Sequence, residues 1–140
     1  MNYLLDTNIL LYAFQITSPQ HRRSVEWLKQ KTEAGEAIYS CGLNEVAVAR
    51  ISTRTFHTPA EDVFLFLADL HALPNYQHAE LGKAGLKRWR ALTLNLNLTG
   101  NELNDAYLAA LALERGLTLV TADRGFARFA GAGLKLEVLD

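Results

Sequence analysis

The stretch NDAYLAALALERGLTLVT, residues 104–121, passes from one kind of periodicity to another across a single glycine. Its first part is dense in Ala, Leu and Glu, the residues with the best intrinsic helix propensity, and follows Thr99-Gly100. Gly116 stands where a helix closes in the left-handed conformation. LTLVT (117–121) then has no polar face, so it reads as a strand buried on both sides. A helix handed straight to a doubly buried strand is the repeating unit of parallel α/β sheets, and this unit constrains the rest of the chain.

The remaining segments fit that frame. Tyr3–Leu5 reads as a short buried strand, Ala37–Cys41 as a second and LKLEVL (134–139) as a last one. Ser18-Pro19 reads as a cap followed by proline at the first helical position, opening a helix that Gly35 ends. Leu43–Thr55 places Val46, Ala47, Arg50, Ile51 and Arg54 at helical spacing. Thr58-Pro59-Ala60-Glu61 has the pattern of a capping box, with a helix running to about Leu73 before Pro74. A further helix is expected from His78 to about Leu92. TLNLNL (93–98) alternates like a strand but is better read as a helix end and loop. The expectation is an α/β fold, a three-layer α/β/α sandwich around a central parallel sheet, forming a single domain over residues 1–140.

At 140 residues, with 49% apolar and 21% charged side chains, the chain has the composition of a globular protein with one sizeable core. No apolar run is long enough to span a bilayer and no signal layout opens the sequence, so a cytoplasmic protein without membrane contact is expected. The lone Cys41 allows no internal disulfide and reads as a small core residue. A net charge of −1 excludes a generally basic nucleic-acid binder, although arginines cluster locally at 22–23, 50 and 54, and 88 and 90.

In parallel α/β sheets, functional groups collect at the carboxyl ends of the strands. Asp6 lies just past the first strand, Glu45 in the first turn of the helix after the second, Asp105 early in the helix that precedes LTLVT, and Asp123 two residues beyond that strand. Each has a local explanation: Asp6 and Asp123 as turn or cap acids, Glu45 and Asp105 as acids favoured by a helix amino terminus. Together they suggest an acidic pocket. Two ionised carboxylates ~5 Å apart repel by roughly 3 kcal/mol at an effective dielectric near 20. An all-oxygen donor set favours a hard cation such as Mg2+ or Mn2+ over Zn2+. Such an ion suits phosphodiester hydrolysis. Glu102, in Thr99-x-x-Glu102, is assigned a capping role instead. The four histidines fit no metal spacing, and no dinucleotide fingerprint, Walker loop or nucleophile elbow occurs.

DTNILLYA, NEVAVAR and NDAYLAALALERGLTLVTADRGFARF, taken in that order, resemble PIN-domain ribonucleases of the VapC type, the toxins of toxin–antitoxin pairs. The resemblance covers essentially the whole chain. It implies a Mg2+- or Mn2+-dependent endoribonuclease that leaves a 5′-phosphate and a 3′-hydroxyl, commonly dimeric and inhibited by a cognate antitoxin. Transferred position by position, it makes Asp6, Glu45, Asp105 and Asp123 the catalytic and metal-binding acids, with Asn8 and Thr121 as supporting polar groups. Arg50, Arg124 and Arg128 become candidates for contact with substrate phosphate or with antitoxin acids. Many relatives carry a further acid where this chain has Gly125, which bears on the number of ions held. Structured RNA with an exposed loop is the expected substrate. Two other readings remain: a catalytically silent PIN-like binding module, and a haloacid-dehalogenase-like phosphatase. The second requires an acid where this chain has Asn8.

Overall fold

The computed structural model describes residues 1–139. Five strands form one parallel sheet: β1 (Asn2–Leu5), β2 (Ala37–Ser40), β3 (Tyr76–His78), β4 (Thr118–Thr121) and β5 (Lys135–Val138), in the order β3-β2-β1-β4-β5. Six α-helices connect them: α1 (Thr7–Phe14), α2 (His21–Glu33), α3 (Gly42–Thr55), α4 (Ala60–His71), α5 (Lys83–Asn95) and α6 (Glu102–Arg115). A 3-10 segment, Arg124–Ala132, separates β4 from β5. The order reverses direction at β1, and β1 pairs with β2 on one side and β4 on the other. The site of interest lies just beyond the carboxyl ends of that central pair.

The three layers follow from side-chain alternation along the central strands. Leu4 and Leu119 point into a core shared with α5, α6, Phe126 and Phe129. Tyr3, Leu5 and Val120 point the other way, against Ile9, Leu10, Trp27, Val48, Val63 and Leu67. Every residue of β4 is buried, as a strand covered on both faces requires. Gly116 closes α6 at φ +66, and Leu117 then hydrogen-bonds back to Ala112 before the chain enters β4. Among the described residues no helix is long and apolar enough to cross a membrane.

Several local expectations are corrected. The capping box at Thr58 does not form: α4 starts after Pro59 without a side-chain cap, and Thr58 Oγ1 instead accepts a hydrogen bond from Gln15 at 3.4 Å. Ser18-Pro19 makes a turn, with the His21 N–H bonded to the Ser18 carbonyl, so α2 begins two residues later than the proline suggested. His78 ends an edge strand rather than beginning a helix, and α5 starts only at Lys83. The helix α1 and the 3-10 segment were not anticipated. TLNLNL is a helix end and loop, as read.

Candidate active site

Asp6 follows β1 directly and is the N-cap of α1: Oδ1 accepts from the Thr7 N–H at 2.7 Å. The backbone still belongs to the sheet, since its N–H bonds to the Val120 carbonyl at 2.9 Å. The side chain is 6% exposed. On its other oxygen it accepts from Thr121 Oγ1 at 2.7 Å. Thr121, fully buried, is the junction of the site: its Oγ1 also accepts from Asn8 Nδ2 at 3.3 Å and from the Asp123 N–H at 2.9 Å. Asn8 Oδ1 accepts from the Ala122 N–H at 3.2 Å. A three-residue bracket thus ties the end of β4 to the start of α1. Asp6 is thus both the cap of α1 and an acid delivered to the sheet rim.

Burial pushes the Asp6 carboxyl up to about 6, partly offset by the Thr121 and Thr7 hydrogen bonds and reinforced by the charges of Asp105 and Asp123. Asp105, half-buried on α6, is likewise held above the usual carboxylate range by burial, against the opposing pull of Arg128. Asp123 is exposed, and its Oδ1 accepts from the Gly125 N–H at 2.8 Å at the start of the 3-10 segment. A cavity of about 170 Å³ opens onto Asp6 and Asp105, with Asn101 at the N-cap of α6, Asn104 within it, and Ala47 and Arg50 from α3 on its walls.

Glu45 departs from the expected gathering of four acids. Its Oε2 accepts from Ser40 Oγ at 2.7 Å and from the Tyr76 hydroxyl at 3.3 Å, and lies 3.5 Å from His78 Nδ1; its Oε1 is 3.0 Å from His71 Nε2. His71 and Tyr76 stack at 4.4 Å between ring centres. The cause is helical phase. Asn44, one residue earlier, is buried and donates to the Leu5 carbonyl at 2.6 Å while its Oδ1 accepts from the Cys41 N–H at 3.1 Å. With Asn44 aimed at β1, a 100° advance turns Glu45 toward α4 and β3. The face of α3 that looks onto Asp6 presents Leu43, Ala47, Arg50 and Ile51 instead. Histidines that showed no pattern in sequence are therefore the partners of Glu45.

Arg128 is the other residue whose position the sequence did not reveal. Its Nη2 donates to Asp105 Oδ2 at 2.8 Å and its Nη1 to the Gly125 carbonyl at 2.7 Å. The guanidinium carbon lies 4.8 Å from the Phe129 ring centre. Arg124 is exposed and lies next to Asp123 in the chain. Cys41 is buried, and burial pushes its thiol up to about 11, the state of a core residue and not of a nucleophile.

For a divalent ion, the donor chemistry fits: Asp6, Asp105 and Asp123 are oxygen donors close enough to raise the Asp6 proton affinity together, and a guanidinium already stands in as a cation at Asp105. The carboxylates nevertheless each hold a protein donor here. Among the described residues, no three acidic, histidine or cysteine side chains stand in ready metal-holding geometry.

The profile of the PIN domain matches residues 3–132. The chain belongs to the PIN-domain family. Ribonuclease VapC25 of Mycobacterium tuberculosis is 31% identical to this PIN domain over 132 residues, covering 91% of the chain and 93% of the relative. Ribonuclease VapC43 of the same organism is 32% identical over 132 residues, covering 89% and 88%. Among solved structures, VapBC2 from Rickettsia felis, bound to a promoter DNA fragment, superimposes with a TM-score of 0.72 over 100% of both chains at 22% identity, a shared fold. The haloacid-dehalogenase alternative falls with this assignment. Asn8, where that chemistry needs an acid, is a bracket between β4 and α1.

Proposed function

We propose that this PIN domain is a Mg2+- or Mn2+-dependent endoribonuclease and the toxin of a toxin–antitoxin pair. The observation that carries the reading is Asp6: a carboxylate buried among other acids, whose ionised form needs a cation beside it. The ribonucleases among its relatives add the substrate class, RNA, and the toxin–antitoxin complexes among its structural neighbours add the second partner, an antitoxin.

Asp6, Asp105 and Asp123 would hold the ion, and Thr121 and Asn8 keep Asp6 and Asp123 in register. When bound, such an ion supplies Lewis acidity toward a phosphodiester oxygen and toward water. Glu45, turned toward α4 and β3 and held there by Ser40, Tyr76 and His71, is assigned a positioning role at the border of the site, away from the ion and the attacking water. Arg50 lines the cavities on both sides of α3 and would meet substrate phosphate there. Arg124, exposed beside Asp123, is a further candidate for that contact.

The antitoxin is assigned to the apolar groove of about 730 Å³ between α3 and α4, where Val46, Ala49, Phe64, Leu67 and Ala68 lie beside Glu45. Val46 and Phe64 are exposed there, apolar side chains open to a partner. The chain is read as a single PIN domain over residues 1–140, cytoplasmic, and working as a homodimer through other exposed apolar residues such as Leu94 and Leu96.

A second reading, a silent binding module, draws on the ion pair that occupies Asp105. Incubating structured RNA with the protein and Mn2+ separates the two. Cleavage that requires Mn2+, stops in EDTA and is absent in Asp6→Asn supports the nuclease. Absence of both Mn2+ binding and RNA cleavage would establish the silent module.

A further inference from the structure

The acidic centre carries a cation of its own. In the 3-10 segment residues three apart lie one above the other, so Arg128 stacks over Gly125 and donates to its carbonyl at 2.7 Å. From there the guanidinium reaches across to α6 and meets Asp105 Oδ2 at 2.8 Å, with both side chains about a quarter exposed. Phe129 supports it from beneath at 4.8 Å. Its Nε is buried without a hydrogen-bond partner in the protein. A polar atom is thus left unsatisfied to keep the charged end at Asp105.

The arrangement depends on Gly125. A Cβ at that position would lie 2.9 Å from Arg128 Nη1 and 3.0 Å from Asp123 Oδ1. The backbone at Gly125 is not in the left-handed region, so glycine is there for space and not for conformation. The guanidinium occupies the room that a side chain on residue 125 would take, between Asp123 and Asp105.

Charge bookkeeping gives this placement a meaning. Three ionised carboxylates, Asp6, Asp105 and Asp123, are balanced by one divalent ion and one arginine; a second divalent ion would overshoot. Resting on the nuclease reading above, we infer that Arg128 is the second cation of this centre: the chain works with one divalent ion and one guanidinium. The guanidinium has five N–H donors. Two are used within the protein, and the outer hydrogens of Nη1 and Nη2 remain for a non-bridging oxygen of the substrate phosphate. Arg128 exchanges no proton. Water attacks phosphorus, the bond from phosphorus to the 3′ oxygen breaks, and the proton lost by water is matched by the one the 3′ oxygen gains.

The test is Mn2+ stoichiometry on the full chain, by calorimetry and by loss of the free-ion spin-resonance signal. The unsubstituted protein should bind one Mn2+ per chain. Arg128→Gln, which removes the guanidinium charge and keeps a polar side chain, should bind two, the second about tenfold tighter than any second ion on the parent, the factor contributed by a charge-assisted hydrogen bond. Gly125→Ala adds no ligand and should also bind two by pushing the guanidinium aside. RNA cleavage by both variants should fall at one equivalent of Mn2+ and recover with excess. Two ions on the parent, or one ion on all three proteins, overturns the inference and leaves the nuclease reading intact. No Mn2+ on any of them removes both.

Discussion

Replacing Asp6 by Asn removes a charge that the metal-free protein tolerates poorly. The Asp6 carboxyl sits at about 6 when folded, against an ordinary aspartate value near 4. Two decades of proton affinity correspond to roughly 3 kcal/mol. Because the folded value is the higher one, the stability tied to this group is fully present below about pH 4. It is lost as the pH rises through about 6, above which the folded protein carries the whole penalty. Asn carries no penalty and can still cap α1 through its carbonyl oxygen. It does forfeit the charge-assisted bond from Thr121, and its amide would face a hydroxyl that already accepts from Asn8 and from the Asp123 N–H; that costs about 1–2 kcal/mol. The net expectation in EDTA at pH 7.5 is a gain of about 1–2 kcal/mol, or roughly 3–7 °C in Tm. At pH 4 the gain should vanish or reverse. Thermal and urea unfolding across pH 4–8 in EDTA reads both, and adding Mn2+ should raise the Tm of the parent but not of Asp6→Asn. A variant less stable than the parent at pH 7.5 by the same amount as at pH 4 would refute the claim that burial of charge dominates this residue.

The other predictions probe the supports. Asn44→Ala leaves the Leu5 carbonyl and the Cys41 N–H unsatisfied in the interior and should cost about 2–3 kcal/mol in urea unfolding; a loss below about 1 kcal/mol would mean that water replaces the amide. Thr121→Val keeps the shape but removes the donor to Asp6, so a carbon-13 titration should find the Asp6 carboxyl above its parent value of about 6, and a lower value would contradict the bracket described above. Glu45→Gln should lower RNA cleavage by about tenfold, the effect of losing a positioning group, while changing Mn2+ affinity less than about threefold, because its oxygens are engaged by Ser40, Tyr76 and His71 and face away from Asp6. Parallel loss of Mn2+ binding would place Glu45 on the ion instead.

Four of the five strands were legible because each is an apolar run between turn signals. The edge strand Tyr76–His78 was not, being three residues long and largely exposed. The acids Asp6 and Asp123 were readable as rim residues, since the position after a buried strand must leave the sheet. Glu45 was readable as a first-turn acid but not in its direction. Whether residue 44 or 45 faces β1 is decided by the Asn44 bond to Leu5, a contact between segments 39 residues apart. The same applies to Thr58, whose capping pattern was sound locally and lost to a tertiary bond from Gln15. Arg128 was named for its charge alone; its reach to Asp105 depends on a 3-10 turn and on the absence of a side chain at Gly125.

Thr121 and Asp6 are 115 positions apart, yet neither the capped start of α1 nor the pairing at its foot is complete without the other. A polypeptide still being translated therefore carries Asp6 from the outset but has nowhere to seat it until β4 has emerged and docked beside β1. For an enzyme read as hazardous to the cell that makes it, this order of assembly delays the hazard: premature termination anywhere before Thr118 yields a fragment with no finished pocket. The time between release of the last strand and closure of the sheet is then the interval in which an inhibitor can reach the chain ahead of its substrate.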